Sequence, residues 1–347
     1  MTGGITSPGA GWRQADSGPA TQRKSGKRRK RGGGRNRGEV AMVDDVEFTS
    51  YYGRQIVKTP VWKSPDVPLY LFLGGAAGSS SILAAVADFT DRPKLTRVGR
   101  MTAAIGSLLS VVALVHDLGR PERFLHMLRV FKLTSPLSVG TYILSPFSAA
   151  AGATAAVELL GWFPRLERFG GIVSAIFGGP LATYTGVLLA NTAVPSWHAA
   201  YKQLPFVFGG SAMAAGGGIS MIFVPVDEAG PARKMAITGA AIELAVMHKV
   251  ETDHGILSEP FHEGRPGKLM QAAKTTTAAG AGLAAIAGRT RVGAIASGTL
   301  LAAGSLLTRF GVFEAGIAST KDPKYVVLPQ RERLAAGTNE HASTVTR

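Results

Sequence analysis

The residues best suited to chemistry stand together in one short segment, His116-Asp117-Leu118-Gly119-Arg120-Pro121-Glu122-Arg123-Phe124. An imidazole and a carboxylate side by side can exchange protons, and a guanidinium three residues on can hold the carboxylate ionised. The segment lies where a long apolar run ends. An aspartate and an arginine at a hydrocarbon boundary are costly unless paired. Two readings follow. One is a helix stop with a local Asp117–Arg120 pair and a proline break. The other is the polar lip of a pocket, where Asp117 or His116 exchanges protons with a bound headgroup.

A second segment is Gly179-Pro180-Leu181-Ala182-Thr183-Tyr184-Thr185-Gly186. Proline inside a helix frees a carbonyl and kinks the axis. Tyr184, one turn on, then points its phenol into the bundle, where it needs a partner. That partner is either a neighbouring helix or the carbonyl of a quinone. Glu243, in Ala240-Ala241-Ile242-Glu243-Leu244-Ala245, is a carboxylate within an apolar stretch and so a proton-exchange candidate. It reads equally as a neutral, hydrogen-bonded structural group. Glu158 falls at the far end of its apolar run, an interfacial position, and Arg309 and Glu314 are spaced to pair with each other. A b-type haem would need two inward histidines; His116 and His248 end their runs on the same side, but each adjoins a charged residue, Asp117 or Lys249, which favours a boundary position. No phosphate loop, metal-ligand cluster or nucleophile elbow stands out.

The elements that must position these residues are long, uncharged and rich in Gly and Ala. The clearest are Pro68–Ala87, Met101–Val115, Ser135–Phe163, Gly170–Val194, Leu204–Val224 and Val292–Phe313. About 20 mostly apolar residues cross a hydrocarbon core, and these runs lack the polar face of water-soluble helices. Two weaker runs, Lys234–Met247 with Glu243 and Leu269–Ala287 with Lys274, bring the number to eight. The expected fold is therefore all-α, a polytopic membrane bundle of about eight helices arranged as two four-helix units. The expected division is an arm over residues 1–66, a membrane domain over 67–318 (halves 67–200 and 201–318) and a polar tail over 319–347.

Composition agrees. Charged residues make up 18%, and 44 glycines suit close helix packing. There is no cysteine, which excludes disulfides and thiolate-bound iron–sulfur clusters from this chain. The net charge of +15 is concentrated in residues 1–38, which hold Arg13, Arg23, Lys24, Lys27, Arg28, Arg29, Lys30, Arg31, Arg35 and Arg37 against Asp16 alone. Such a Gly-rich basic arm before a membrane domain reads as a largely disordered cytoplasmic tail near anionic lipid rather than a nucleic-acid binder. The basic tails place both termini in the cytoplasm. With that topology, Trp62, Tyr70, His116, Asp117, Arg120, Ser135, Tyr142, Tyr184, Asn191, Trp197 and His198 all gather toward the N-terminal side. A faint internal repeat links Pro68-Leu-Tyr-Leu-Phe-Leu-Gly74-Gly75 with Pro205-Phe-Val-Phe-Gly209-Gly210.

Four segments in order resemble the membrane subunit of polysulfide-reductase-type complexes, the NrfD/PsrC-like family. They are Pro68-Leu-Tyr-Leu-Phe-Leu-Gly-Gly-Ala-Ala-Gly78, Asp117-Leu-Gly-Arg-Pro-Glu-Arg-Phe124, Ser135-Pro-Leu-Ser-Val-Gly140 with Tyr142, and Tyr184-Thr-Gly-Val-Leu-Leu189. The resemblance implies an eight-helix plasma-membrane subunit without haem or iron–sulfur cluster of its own. It implies an anchor for an iron–sulfur subunit and a molybdopterin catalytic subunit, exchanging electrons with menaquinone. By motif position Asp117, Arg120 and Tyr184 would line the quinone pocket, with Tyr70 and His116 beside them. The basic tails put the docking face in the cytoplasm, which suggests a formate dehydrogenase-like partner. The rival expectation is a secondary transporter with a 4+4 helix repeat, favoured by Glu243 and the Gly/Pro-interrupted spans.

Overall fold

The computed structural model describes residues 55–335 apart from 121, 130 and 162. The basic arm of residues 1–38 and residues 336–347 of the polar tail lie outside the described residues, and so do the expectations placed on them.

All regular structure among the described residues is helical. The order is α1 (Asp66–Phe89), α2 (Pro93–Leu118), α3 (Glu122–Met127), α4 (Pro136–Leu160), α5 (Pro164–Ala190), α6 (Pro195–Ala199), α7 (Leu204–Phe223) and α8 (Gly230–Thr252). A 3₁₀ turn (Gly255–Phe261) precedes α9 (Gly264–Ala287), α10 (Arg291–Lys321) and α11 (Lys324–Ala335). Proline opens the first turn of α2, α4, α5, α6, α7 and α8. Its missing N–H is no loss there, because first-turn donors have no intrahelical acceptor.

Eight helices are 20 to 31 residues long, at least 30 Å at 1.5 Å per residue. Six of them, α1, α2, α4, α5, α7 and α10, are long and apolar enough to cross a membrane. The remaining two, α8 and α9, are the weaker pair expected from sequence; they match the others in length but carry more polar residues. The chain is a multi-pass helical bundle.

The packing repeats. In the first half α1 packs on α2, α4 on α5, α1 on α5, and α2 on α4; in the second α7 packs on α8, α9 on α10, α7 on α10, and α8 on α9. The halves meet chiefly where α7 packs against α1 and α5. Glycine permits the tightest crossings. A Cβ at Gly78 would strike the Gly178 carbonyl where α1 crosses α5, and one at Gly298 would strike the Gly218 carbonyl where α10 crosses α7. Contact between backbones lets van der Waals attraction hold helices that lipid would otherwise solvate.

The two ends of the bundle differ. One end carries only short turns, pinned by charge: Glu228 accepts from the Lys94 and Leu95 amides at the start of α2 (2.8 and 3.2 Å), and Arg291 donates to three carbonyls at the end of α7. The other end, where α1 begins, carries α3, α6, the 3₁₀ turn and α11. Residues 55–65, grouped with the arm by sequence, cross this N-terminal face. Thr59 bonds Thr320 (2.9 Å), and Trp62 stacks on Trp197 with 5.7 Å between ring centroids. Trp197 is fully buried; its indole N–H donates to the Val312 carbonyl (2.7 Å) and its ring meets Phe313.

Candidate functional site

The N-terminal face brings together residues that are far apart in sequence. Tyr70 lies in the second turn of α1 and is buried. Tyr184 lies one turn beyond Pro180 in α5, half-buried against the same apolar cluster. Asp117 lies at the end of α2, half-exposed. Tyr70 is within electrostatic reach of both Tyr184 and Asp117. The fourth wall is α4, where Gly140 leaves room for the Tyr184 ring. The Tyr70 carbonyl accepts from Ser110 of α2 (3.2 Å), which fixes α1 against α2 at this depth.

Neither phenol hydroxyl hydrogen-bonds to another described residue. Buried phenols ordinarily find a partner. Two phenol donors within reach of one another, one of them also within reach of a carboxylate, are the chemical content of this site.

The lip is ordered by residues near α1. Asp117 Oδ1 accepts from the Lys63 amide (3.0 Å), and His116 Nδ1 lies 2.8 Å from Asp66 Oδ2. The His116 ring itself is 74% exposed. Asp117 is thus held at the boundary between the tyrosines and water by the extended segment, and not by Arg120. Gly119 ends α2 in a left-handed conformation (φ 68°), which turns the chain and leaves Arg120 exposed. The local Asp117–Arg120 pair does not form among the described residues, and Arg120 does not join the tyrosines.

Other residues singled out by sequence have packing roles. Ser135 caps α4 through the Ser138 amide (3.4 Å). The Tyr142 hydroxyl donates to the Leu128 carbonyl (2.8 Å), tying α4 to the turn after α3. Asn191 caps the end of α5, and His198 Nδ1 lies 3.1 Å from the Ala190 carbonyl. His248 is exposed on α8. A cavity of about 710 Å³ opens on the same face between α6, the 3₁₀ turn and α11, lined by Thr192, His198, Leu257 and Tyr325. It is walled by other residues than the tyrosine site.

Two charge centres lie elsewhere. Glu243 of α8 and Arg309 of α10 are 2% and 0% exposed. The spacing of Arg309 and Glu314 suggests a pair, but Glu314 instead meets Arg265 of α9 at 3.2 Å. Five residues along a helix turn the two side chains more than a full turn apart, so each finds its partner on another helix. Toward the opposite end, Arg100 of α2 is buried among Glu167, Glu158 (3.7 Å) and Asp88 (3.7 Å), and Arg168 also meets Asp88 at 2.9 Å. Sequence reading placed Glu158 at an interface without its partner. The missed signal was Arg100 itself, a cation at the threshold of the apolar run that begins at Met101.

Residues 55–227 match the family described as polysulphide reductase, NrfD. That stretch contains all four walls of the tyrosine site. Over it the chain belongs to the NrfD family, and the protein is a membrane subunit of the polysulphide-reductase type. No curated protein compared with the chain matches it.

Proposed function

We propose that this chain is the integral membrane anchor and quinone-reactive subunit of an iron–sulfur/molybdopterin oxidoreductase complex, passing electrons between menaquinone and the soluble subunits. One observation carries the reading: Tyr70, with no hydrogen-bond partner on its hydroxyl among the described residues, is within electrostatic reach of both Tyr184 and the Asp117 carboxylate. A quinone presents carbonyl acceptors and, with two electrons, takes up two protons. The donors fit those acceptors. Tyr184 and Tyr70 orient and polarise a carbonyl. Asp117, half in water, passes protons between the headgroup and the N-terminal face, with His116 beside it in contact with solvent. Arg120 is assigned no contact with the headgroup.

The N-terminal face suits a docking surface, because it carries α3, α6, the 3₁₀ turn and α11 where the opposite end has turns alone. The partners proposed are an iron–sulfur subunit and a molybdopterin enzyme, in the manner of a formate dehydrogenase. Clusters in the former deliver or accept electrons, since this chain has no cysteine to hold one. The basic arm favours a cytoplasmic position for this face in the plasma membrane.

The test is mass spectrometry of what co-purifies with the tagged protein in mild detergent, followed by menaquinone-analogue turnover of the isolate. An iron–sulfur subunit with a molybdopterin enzyme, and quinone-dependent turnover, support the proposal. Repeated recovery of the chain alone, with solute uptake after reconstitution, would replace it with the transporter reading.

A further inference from the structure

A second polar site lies in the other half of the bundle, among α7, α8 and α10. Arg309 is fully buried; Nη2 donates to the Phe208 carbonyl (2.8 Å), and the guanidinium lies over the Phe208 ring, 3.8 Å from its centre. Its head also abuts α1, where a Cβ at Gly75 would come within 3.1 Å of Nη2. Nε and Nη1 make no hydrogen bond. Glu243 accepts from the Thr308 hydroxyl at Oε1, while Oε2 makes none. Ser211, which bonds Ser305 (2.8 Å), faces the same carboxylate.

Glu243 and Arg309 attract one another electrostatically, and Arg309 is the charged group that acts on Glu243. Yet they form no ion pair within 4.0 Å among the described residues, unlike Arg100 with its carboxylates. Three buried polar atoms, two donors and one acceptor, are thus left without a hydrogen-bond partner on two side chains that sense one another electrostatically. A buried charge left in that condition is strongly destabilising. A water molecule with two to four polar partners removes the penalty, and buried waters characteristically sit at such points.

We propose that bound water bridges Glu243 Oε2 to Arg309 Nε and Nη1, making a buried, hydrated proton-exchange site separate from the tyrosine site. A hydronium formed at this water passes one proton to Oε2 and is left as water; the reverse step takes the proton from the carboxyl and re-forms hydronium. Arg309 stays cationic throughout, and no other bond changes. The site needs no quinone, so it stands or falls apart from the function proposed above.

Two measurements on the purified full-length chain, with whatever subunits accompany it, test it. The first is an electron cryo-microscopy map at a resolution that shows ordered water. Density is expected within hydrogen-bonding distance of both Glu243 Oε2 and an Arg309 nitrogen. A dry gap, or direct closure of the two side chains, overturns the proposal. The second is infrared difference spectroscopy in H₂O and D₂O. A carboxyl band that shifts on deuteration and is lost in Glu243→Gln is expected, since the amide keeps the shape of the side chain. The same deuterium-sensitive spectrum in the variant and the wild type overturns the exchange.

Discussion

The ring of Tyr184 rests on the backbone of Gly140, so closely that a single methyl group there would collide with Cε2 and Cζ. An α5 residue is thereby positioned by an α4 residue forty-four places earlier in the chain. The ring is thereby held within electrostatic reach of Tyr70.

Gly140→Ala is expected to displace the phenol while the helices stay formed. Overpacking of this kind costs about 1–3 kcal/mol, and here the loss falls on the position of one side chain. Quinone-linked turnover should drop at least about tenfold, the rate equivalent of ~1.4 kcal/mol, with the complex still assembling. Unchanged turnover in the alanine variant would show that Tyr184 has no part in the site.

Asp117→Ala removes the carboxylate at the lip. Loss of a group that transfers protons typically costs about 10²–10⁴-fold in rate. Co-purification of the partners should persist, because among the described residues the Asp117 carboxylate hydrogen-bonds only the Lys63 amide. The measurement is quinol oxidation or quinone reduction by the isolated complex; wild-type rates would remove Asp117 from the mechanism.

Arg100 is expected to be structural. It is 7% exposed, with Asp88, Glu158 and Glu167 all within reach. Arg100→Ala leaves Glu167 without its cation and Asp88 and Glu158 with only the more exposed Arg168 and Arg97, and breaking a buried pair from one side costs about 3–5 kcal/mol. A large fall in Tm in detergent is expected. Neutralising Glu167 to Gln in the same variant should restore part of it, measured as a double-mutant cycle. A Tm within error of wild type for Arg100→Ala would contradict the ion cluster.

Acid is expected to loosen the turn after α8. Burial lowers the His254 pKa below its ordinary 6.5, against a smaller opposing effect of Asp253, and Nε2 is buried without a partner. A histidine held neutral in the fold contributes full stability above its unfolded pKa and loses it as pH falls below that value. Stability should therefore decline from about pH 6.5 downward in the wild type, and less so in His254→Gln. Identical acid profiles for the two proteins would dismiss this role.

Much of the architecture was legible from residue order alone. A hydrocarbon core demands about 20 apolar residues with all backbone groups satisfied internally, so Pro68–Ala87 and Gly170–Val194 could scarcely be anything but helices. Alternation of direction then puts the ends of α1, α2 and α5 on one face, which is why Tyr70, Asp117 and Tyr184 could be grouped before any coordinates. The four-part family pattern ran through the same residues.

Side-chain partnership was not legible. Arg120 and Asp117 are spaced to pair, but the left-handed turn at Gly119 sends the arginine to solvent and the Lys63 amide takes the carboxylate. Arg309 and Glu314 share a helix, yet each finds its contact across an interface, Arg309 with the Phe208 carbonyl and Glu314 with Arg265. Trp62 and Trp197 were grouped with the polar lip; stacked together, they fasten the extended segment to α6 and α10. Residue type and hydropathy determine which segments enter the membrane and on which side a group emerges. Which helix face meets which neighbour depends on rotation and crossing, set by close approaches such as Gly78 to Gly178, and only the folded bundle decides that.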